Sequence, residues 1–120
     1  MKRILLIEDD FDVRDVIKSI LRLHDFEVFE LEKTDDVVAV VIDLKPDLVV
    51  TDFLLFGLNG GKICKDLKTD HRTRHIPVVL ITGFKDFAFA FGAYGFDGFI
   101  EKPFEINELL ETINKCLVPK

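Results

Sequence analysis

Short, nearly continuous apolar runs alternate along this chain with longer segments in which apolar residues recur at helical spacing. Runs of this kind are typical of strands that are covered on both faces of a parallel sheet. Five segments fit the strand pattern to different degrees. The predicted strands are Arg3 to Ile7, Phe26 to Leu31, Leu48 to Thr51, Val78 to Ile81, and Gly98 to Glu101. Ile76-Pro77 introduces the fourth of them.

The segment after the first strand is predicted to be an amphipathic helix. Its apolar positions lie three and four residues apart, and Asp10 or Asp12 can cap its first turn. Those apolar positions are Val13, Val16, Ile17, Ile20 and Leu21. The chain is therefore expected to open with a strand followed by a helix.

The segment from Val37 to Ile42 gives conflicting signals. Its β-branched residues favour a strand, whereas its place between two predicted strands calls for a crossover helix, because parallel strands need one. We predict a helix that ends at Lys45-Pro46.

Turns, a loop and three further helices complete the pattern. Gly57 to Gly61 is predicted to be a turn, with Gly60-Gly61 opening a third helix that runs to about Leu67. Thr69 to His75 is predicted to be a loop, and Lys85 to Ala93 a short aromatic helix. The closing amphipathic helix is marked by Phe104, Ile106, Leu109, Leu110, Ile113 and Leu117.

Five strand-helix units in succession predict an α/β fold with a doubly wound parallel sheet. A chain of 120 residues has the usual size of one domain, so a single domain over residues 1–120 is expected. In such folds, ligands bind at the carboxyl ends of the strands, beside the switch in strand order. Residues at the strand ends are therefore the candidates for function.

Four polar sites stand at or just after the ends of predicted strands. They are Glu8-Asp9-Asp10, Asp52, Thr82 and Lys102-Pro103. If the strands are parallel, carboxylates, a hydroxyl and an ammonium share a small cleft at one edge of the sheet. A divalent cation and a phosphoryl group could sit together in that cleft.

Composition narrows the classes of partner. The net charge of -6 and the absence of Lys and Arg clusters argue against nucleic acid or an anionic membrane as a direct ligand. The apolar run after Met1-Lys2-Arg3 is too short for a signal peptide, and no segment approaches the roughly 18 apolar residues that span a bilayer. We therefore expect a cytoplasmic protein, with Cys64 and Cys116 as reduced and mostly buried thiols.

The four sites together resemble the receiver domain of two-component response regulators, which has the chemotaxis-regulator-like fold. That family has an acidic pair after strand one, an Asp after strand three, a Thr or Ser after strand four and a Lys-Pro after strand five. Glu8-Asp9, Asp52, Thr82 and Lys102-Pro103 match this pattern in order. The resemblance covers essentially the whole chain and implies a flavodoxin-like three-layer sandwich with strand order 2-1-3-4-5.

The resemblance implies that Asp52 is the phosphoacceptor of a Mg²⁺-dependent reaction. Attack by its carboxylate on a phosphoryl group gives an acyl phosphate. Mg²⁺ would be held by Glu8, Asp9, Asp52 and the backbone carbonyl of Leu54. The ion and Lys102 would neutralise charge on the group being transferred.

The same resemblance implies a conformational switch and a set of partners. Thr82 would donate its hydroxyl to a phosphoryl oxygen and move inward, while an aromatic residue at Phe99 changes rotamer. The expected donor is a sensor histidine kinase or a histidine phosphotransfer protein that docks beside the first helix. The chain would be a signalling phosphoacceptor rather than an enzyme, promoting only its own phosphorylation and dephosphorylation.

The chain departs from the family pattern at Phe56, where the family usually has Pro, and in a fourth helix that is expected to be short or irregular. The aromatic residues of that region are Phe84, Phe87, Phe89, Phe91, Tyr94, Phe96 and Phe99. They cannot all be buried on one face of a short helix. We therefore predict a docking surface for a downstream protein or a homodimer, formed by the fourth helix, fifth strand and fifth helix.

A further expectation concerns the lifetime of the phosphoryl group. Leu54 lies two residues after Asp52, and Phe84 lies two residues after Thr82. Because these apolar side chains cannot orient an attacking water, we predict slow self-dephosphorylation.

Three alternatives stay open at the level of sequence. A pseudo-receiver would keep the fold and act as a phosphorylation-independent binding module. An aspartyl phosphatase is suggested by Asp10-Phe11-Asp12, although Arg14 falls where such enzymes usually have Thr or Val. A flavodoxin-like flavin carrier would need a hydroxyl-bearing, Gly-rich phosphate loop where this chain has Glu8-Asp9-Asp10.

Overall fold

The computed structural model describes residues 1–52, 54–55, 58–83 and 95–118. Within them, five parallel strands form one sheet: β1 (Arg3–Ile7), β2 (Glu27–Leu31), β3 (Leu48–Asp52), β4 (Val78–Thr82) and β5 (Gly98–Glu101). Their order is β2-β1-β3-β4-β5, which confirms the predicted topology. Because the order reverses beside β1, the carboxyl ends of β1 and β3 flank the expected binding crevice.

Helices cover both faces of this sheet. Those described are α1 (Phe11–Leu23), α2 (Val37–Leu44), α3 (Gly60–Thr69) and the closing helix (Ile106–Leu117). The helix predicted from Lys85 to Ala93 lies outside the described residues. None of the described helices is both long enough and apolar enough to cross a membrane.

Local capping explains where α1 and α2 begin and end. Of the two candidates for the α1 cap, Asp10 is the N-cap residue, and its side chain accepts hydrogen bonds from the backbone N–H groups of Asp12 and Val13 at 2.9 and 3.1 Å. The side chain of Asp36 caps α2 in the same way. Lys45 ends α2 in the left-handed conformation, with φ of 51°. The prediction of helix for the β-branched segment is therefore confirmed.

The core is divided by the sheet into two apolar layers. Alternate residues of β1 point to opposite faces, so Leu6 packs toward α1 and the closing helix while Leu5 packs toward α2 and α3. All of β4 is buried, as expected of a strand covered on both sides. The sheet therefore lies between two packed apolar layers.

The prediction of a simple turn from Gly57 to Gly61 was wrong at Leu58–Asn59, whereas the prediction that Gly60-Gly61 opens a helix is confirmed. Leu54–Leu55 and Leu58–Asn59 form a pair of two-residue antiparallel strands, and α3 begins at Gly60. Backbone pairing over so few residues leaves no periodic sequence signal. Gly57 itself lies outside the described residues.

Gly98 is expected to be intolerant of a side chain. A Cβ atom there would lie 2.9 Å from Thr112 Cγ2 and 3.0 Å from Cys116 Sγ, both on the closing helix, and 3.3 Å from Val79 Cγ2. We expect Gly98→Ala to lower the free energy of unfolding by about 1–3 kcal/mol, because the closing helix must move away from β5. Gly83→Ala is the control, since its nearest neighbour would be Lys102 Cβ at 3.9 Å. Equal urea midpoints for the two variants would contradict this packing.

Both cysteines are free thiols, as predicted, with Cys64 buried and Cys116 partly buried. Burial raises the pKa of Cys64 to about 12, an effect that the nearby Lys68 opposes and Asp97 reinforces. The protonated thiol is a poor nucleophile. In a Cys116→Ser variant we therefore expect no alkylation by iodoacetamide at mildly alkaline pH until denaturant is added. Rapid labelling of the folded variant would show that Cys64 is accessible.

Candidate functional site

The carboxyl edge of the sheet brings the predicted site residues together. Glu8 and Asp9 follow β1, Asp52 is the last residue of β3, and Thr82 is the last residue of β4. One ligand oxygen from each of Glu8, Asp9 and Asp52 can be chosen so that all lie within 4.8 Å of one another. Carboxylates at the ends of the neighbouring strands β1 and β3 thus form one acidic cluster, as their positions in the sequence predicted.

Lys102 reaches into this cluster from the residue after β5. Its backbone N–H donates to the carbonyl of Thr82 at 2.9 Å, which extends the pairing of β4 and β5 by one residue. Its ammonium Nζ lies 3.0 Å from Glu8 Oε1 and 3.2 Å from Asp52 Oδ2. The peptide bond between Lys102 and Pro103 is cis. The lysine therefore bridges Glu8, the first member of the acidic pair, and Asp52, the predicted phosphoacceptor.

The site is recessed from solvent. The side chain of Glu8 is 2% exposed and that of Asp52 13% exposed, while Lys102 is 27% exposed. Thr82 is fully buried beside them. Within the part of the chain that the structure describes, Glu8 Oε2 accepts no hydrogen bond although it is buried. A buried carboxylate oxygen left in this state is costly, so it favours a further positively charged ligand.

Burial and electrostatic repulsion both act on the pKa of Glu8. Burial is the larger cause and the neighbouring Asp52 carboxylate acts in the same direction, and together they raise this pKa to about 7 although Lys102 opposes them. Burial lowers the pKa of Lys102, but its contacts with Glu8 and Asp52 outweigh burial and leave it raised. The ammonium of Lys102 thus does not fully offset the effects of burial and of Asp52 on Glu8. Additional positive charge, such as that of a cation, would therefore stabilise the ionised carboxylates of the site.

The donor set fits a hard divalent cation. Mg²⁺ prefers carboxylate, carbonyl and water oxygens, and this cluster offers three carboxylates with one buried oxygen unpartnered. Among the described residues, no softer ligand such as a His or Cys side chain belongs to the cluster. Leu54 lies two residues beyond Asp52 in a two-residue strand. Its backbone carbonyl stays a predicted ligand.

The predicted switch residues lie on neighbouring strands. Phe99 pairs with Leu80 across β4 and β5, is partly buried, and has its ring centroid 6.1 Å from that of Phe96. Thr82 lies two residues further along β4. The remaining aromatic residues of the predicted docking face, and Phe56, lie outside the described residues. The roles of Thr82 and Phe99 in switching stay predictions.

Sequence reasoning missed one residue that contacts the acidic turn. The guanidinium Nη1 of Arg14 donates to the backbone carbonyl of Glu8 at 2.8 Å. The only sequence signal for it is a basic residue in the first turn of the helix that follows Glu8-Asp9-Asp10, and such residues are common on helix surfaces. The near-complete burial of Glu8 was also missed, because a run of acidic residues before a helix is usually solvated.

The chain matches the family model described as the response regulator receiver domain over residues 4–114. The phosphate regulon transcriptional regulatory protein PhoB of Pseudomonas aeruginosa is 34% identical over 118 residues, which are 97% of this chain and 52% of PhoB. Histidine kinase P4 of Formosa agariphila is 32% identical over 95% of this chain and 8% of its own length. The chain thus spans about half the length of the regulator and a small part of the kinase.

Solved structures show the same fold. The receiver domain of NtrX from Brucella abortus is 32% identical, with 95% of this chain and 97% of that chain covered and a TM-score of 0.84. A response regulator from Chloroflexus aurantiacus gives a TM-score of 0.89 at 25% identity, with 97% of each chain covered. TrrA from Thermotoga maritima, solved in complex with Mg²⁺-BeF, matches over 98% of this chain and 100% of its own, with a TM-score of 0.87 at 23% identity. On the match over residues 4–114, the chain belongs to the receiver domain family of two-component response regulators.

Proposed function

We propose that this chain is a phosphoacceptor domain, spanning residues 1–120, in which Asp52 accepts a phosphoryl group in a Mg²⁺-dependent reaction. One observation carries the proposal: Lys102 Nζ contacts both Glu8 and Asp52, while the oxygens of Glu8, Asp9 and Asp52 cluster within 4.8 Å. The Mg²⁺-BeF complex of TrrA supports the same ligand chemistry at a related fold. Glu8, Asp9, Asp52 and the Leu54 carbonyl would hold the ion.

The chemistry follows from the positions of three side chains. A carboxylate oxygen of Asp52 attacks the phosphorus of the donor, the bond from phosphorus to the donor breaks, and the donor departs with that electron pair. Mg²⁺, when bound, neutralises part of the charge on the phosphoryl oxygens. The ammonium of Lys102 supplies a second positive charge to those oxygens. The hydroxyl of Thr82, on the adjacent strand, donates a hydrogen bond to them.

Phosphorylation would change the balance of contacts in the site. A phosphoryl group adds about -1.5 to -2 charges next to Lys102, so the ammonium exchanges a carboxylate contact for a phosphoryl contact. Thr82 moves toward the new oxygens and Phe99 changes rotamer behind it. Shifting such an equilibrium from mostly off to mostly on needs roughly 5.5 kcal/mol of differential interaction. A few charge-assisted hydrogen bonds supply energy of this order.

The proposed donor is a sensor histidine kinase or a histidine phosphotransfer protein in the cytoplasm. An exposed apolar surface beside the site supports docking of such a protein: Phe11 is 63% exposed and Val16 54% exposed on α1, and Ile106 is 52% exposed on the closing helix. The output is proposed to be a downstream protein or a homodimer that binds the face of β5, the closing helix and the fourth helix predicted from Lys85 to Ala93. No direct contact with nucleic acid is proposed.

The test is the mass of the intact protein after incubation with acetyl phosphate, in Mg²⁺ and in EDTA. We expect a gain of one phosphoryl group in Mg²⁺ alone, and its removal by neutral hydroxylamine, which cleaves acyl phosphates. A gain of equal size in EDTA would reject the metal requirement. No gain in either condition, with a folded protein, would favour the pseudo-receiver.

A further inference from the structure

We propose that Arg14 is a positioning residue, which holds the acidic turn in the backbone conformation that cation binding requires. The turn is defined here as Glu8, Asp9 and Asp10, between β1 and α1. The inference rests on the proposed function, since it assigns a role toward the same cation. It concerns a residue that touches the backbone of the turn.

Arg14 makes hydrogen bonds on both sides of Asp9. Its backbone N–H donates to the carbonyl of Asp10 at 2.9 Å, which is the first bond of the helix. Its guanidinium Nη1 donates to the carbonyl of Glu8 at 2.8 Å. A single residue therefore fixes the carbonyl that precedes Asp9 and the carbonyl of the residue that follows it.

The rest of the Glu8 peptide backbone is held by the neighbouring strand. The backbone N–H of Glu8 donates to the carbonyl of Leu31 at 3.0 Å, at the end of β2. The amide of Glu8 is thus tied to the sheet, while its carbonyl is tied to α1 through Arg14. Without the hydrogen bond from Arg14, the carbonyl of Glu8 would no longer be held. The backbone of Asp9, the next residue, would then lose its fixed conformation.

The side chain of Arg14 is itself held in place by Glu30 and Phe11. Its side chain is only 14% exposed, its Nε lies 3.9 Å from Glu30 Oε1, and its Cζ lies 5.5 Å from the ring centroid of Phe11. Glu30 also pairs with Lys18 at 3.0 Å. Because the Glu30 carboxylate is shared with Lys18, it offsets only part of the guanidinium charge, and a variant that keeps the positive charge is needed to separate geometry from electrostatics.

This geometry needs the fork of a guanidinium. One nitrogen of Arg14 faces the Glu8 carbonyl while another faces Glu30, and the flat group lies against the Phe11 ring. A lysine has one nitrogen and a tetrahedral head, so it cannot reproduce these contacts together. Arg14→Lys should therefore behave like Arg14→Met, although it keeps the positive charge.

The test compares Mg²⁺ affinity in Arg14→Met, Arg14→Lys and Arg22→Met. Arg22 is a matched control, because it lies on the same helix and its Nη2 donates to a backbone carbonyl of β2, that of Val28, at 3.2 Å. Removal of a residue that orients metal ligands typically weakens binding by 10–100-fold. We expect about a tenfold loss for both Arg14 variants and wild-type affinity for Arg22→Met. Wild-type affinity in Arg14→Met, or an equal loss in Arg22→Met, overturns the proposal.

A second readout separates this inference from the proposed function. The carbon-13 shift of the Glu8 carbonyl reports its hydrogen bond in the metal-free protein, and we expect it to change in both Arg14 variants and not in Arg22→Met. If the wild type binds no Mg²⁺, the proposed function fails, and this shift still decides whether Arg14 orders the turn. A shift that Arg14→Met leaves unchanged overturns the positioning role in either case.

Discussion

Lys102→Met is expected to slow phosphoryl transfer to Asp52 by about a hundredfold, a typical loss when one preorganised charge-stabilising donor is removed. The reason is the position of Nζ, 3.2 Å from the proposed attacking carboxylate and 3.0 Å from Glu8. Affinity for Mg²⁺ should not fall, because the substitution removes a cation that competes for the same carboxylates. The initial rate of phosphoryl gain from acetyl phosphate at saturating Mg²⁺ measures the effect.

Lys115→Met is the control for this experiment. Lys115 pairs with Glu111 at 3.2 Å on the closing helix, and both side chains are more than half exposed. Such surface pairs contribute little to stability. The Lys115 variant should therefore react at the wild-type rate. A Lys102 variant that is folded and reacts as fast as this control would remove Lys102 from the proposed mechanism.

Leu6→Ala is expected to lower the free energy of unfolding by about 2–5 kcal/mol, the range measured for large-to-small changes in packed cores. Leu6 is 1% exposed and lies in β1, between β2 and β3, in the apolar layer beneath α1 and the closing helix. The substitution removes apolar atoms from this layer and leaves a cavity. Denaturant unfolding at a fixed Mg²⁺ concentration measures the loss.

Leu23→Ala provides the matched comparison for the core variant. Leu23 is the last residue of α1 and is 80% exposed, so its removal takes away almost no buried surface. The change in unfolding free energy should stay within about 0.5 kcal/mol. If both variants lost stability equally, the division of the core into two layers around β1 would be wrong.

The segment now seen as α2 shows how much of the fold the sequence could predict. Local propensity favoured a strand there, because most residues from Val37 to Ile42 are β-branched. The requirement for a crossover between parallel strands outweighed that preference, and the structure has a helix from Val37 to Leu44 with Val37 and Val41 buried. The order of the elements along the chain thus predicted this segment better than local propensity did. The two-residue strands, such as Leu54–Leu55, could be predicted from neither, because so few residues show no pattern.

Periodicity was less reliable for deciding which apolar residues are buried. Val16 and Ile106 belong to the predicted apolar stripes of their helices, yet they are 54% and 52% exposed. A stripe at helical spacing is wider than the strip that contacts the sheet, so residues at its margin remain in solvent. Which margin is exposed depends on how the helix is rotated against the sheet, and that is decided by tertiary packing.

The candidate site was predictable in position but not in its interactions. Strand ends place Glu8, Asp52 and Lys102 at one edge, since parallel strands share their direction. The burial of Glu8 and the bonds of Lys102 to two carboxylates depend on side-chain positions in three dimensions. The contact of Arg14 with the turn was not predictable either, because its partner is a backbone carbonyl, which every residue carries.

The most direct test of the account is to locate the phosphoryl group on the chain. Wild type, Asp52→Asn and Asp43→Asn are treated with acetyl phosphate and Mg²⁺, trapped with hydroxylamine, digested and mapped by peptide mass. The hydroxamate is expected at Asp52 in the wild type and in Asp43→Asn, whose exposed carboxylate lies at the end of α2. Asp52→Asn should carry none. Undiminished modification of a folded Asp52→Asn protein, or a hydroxamate at Asp9 in the wild type, would contradict the central claim.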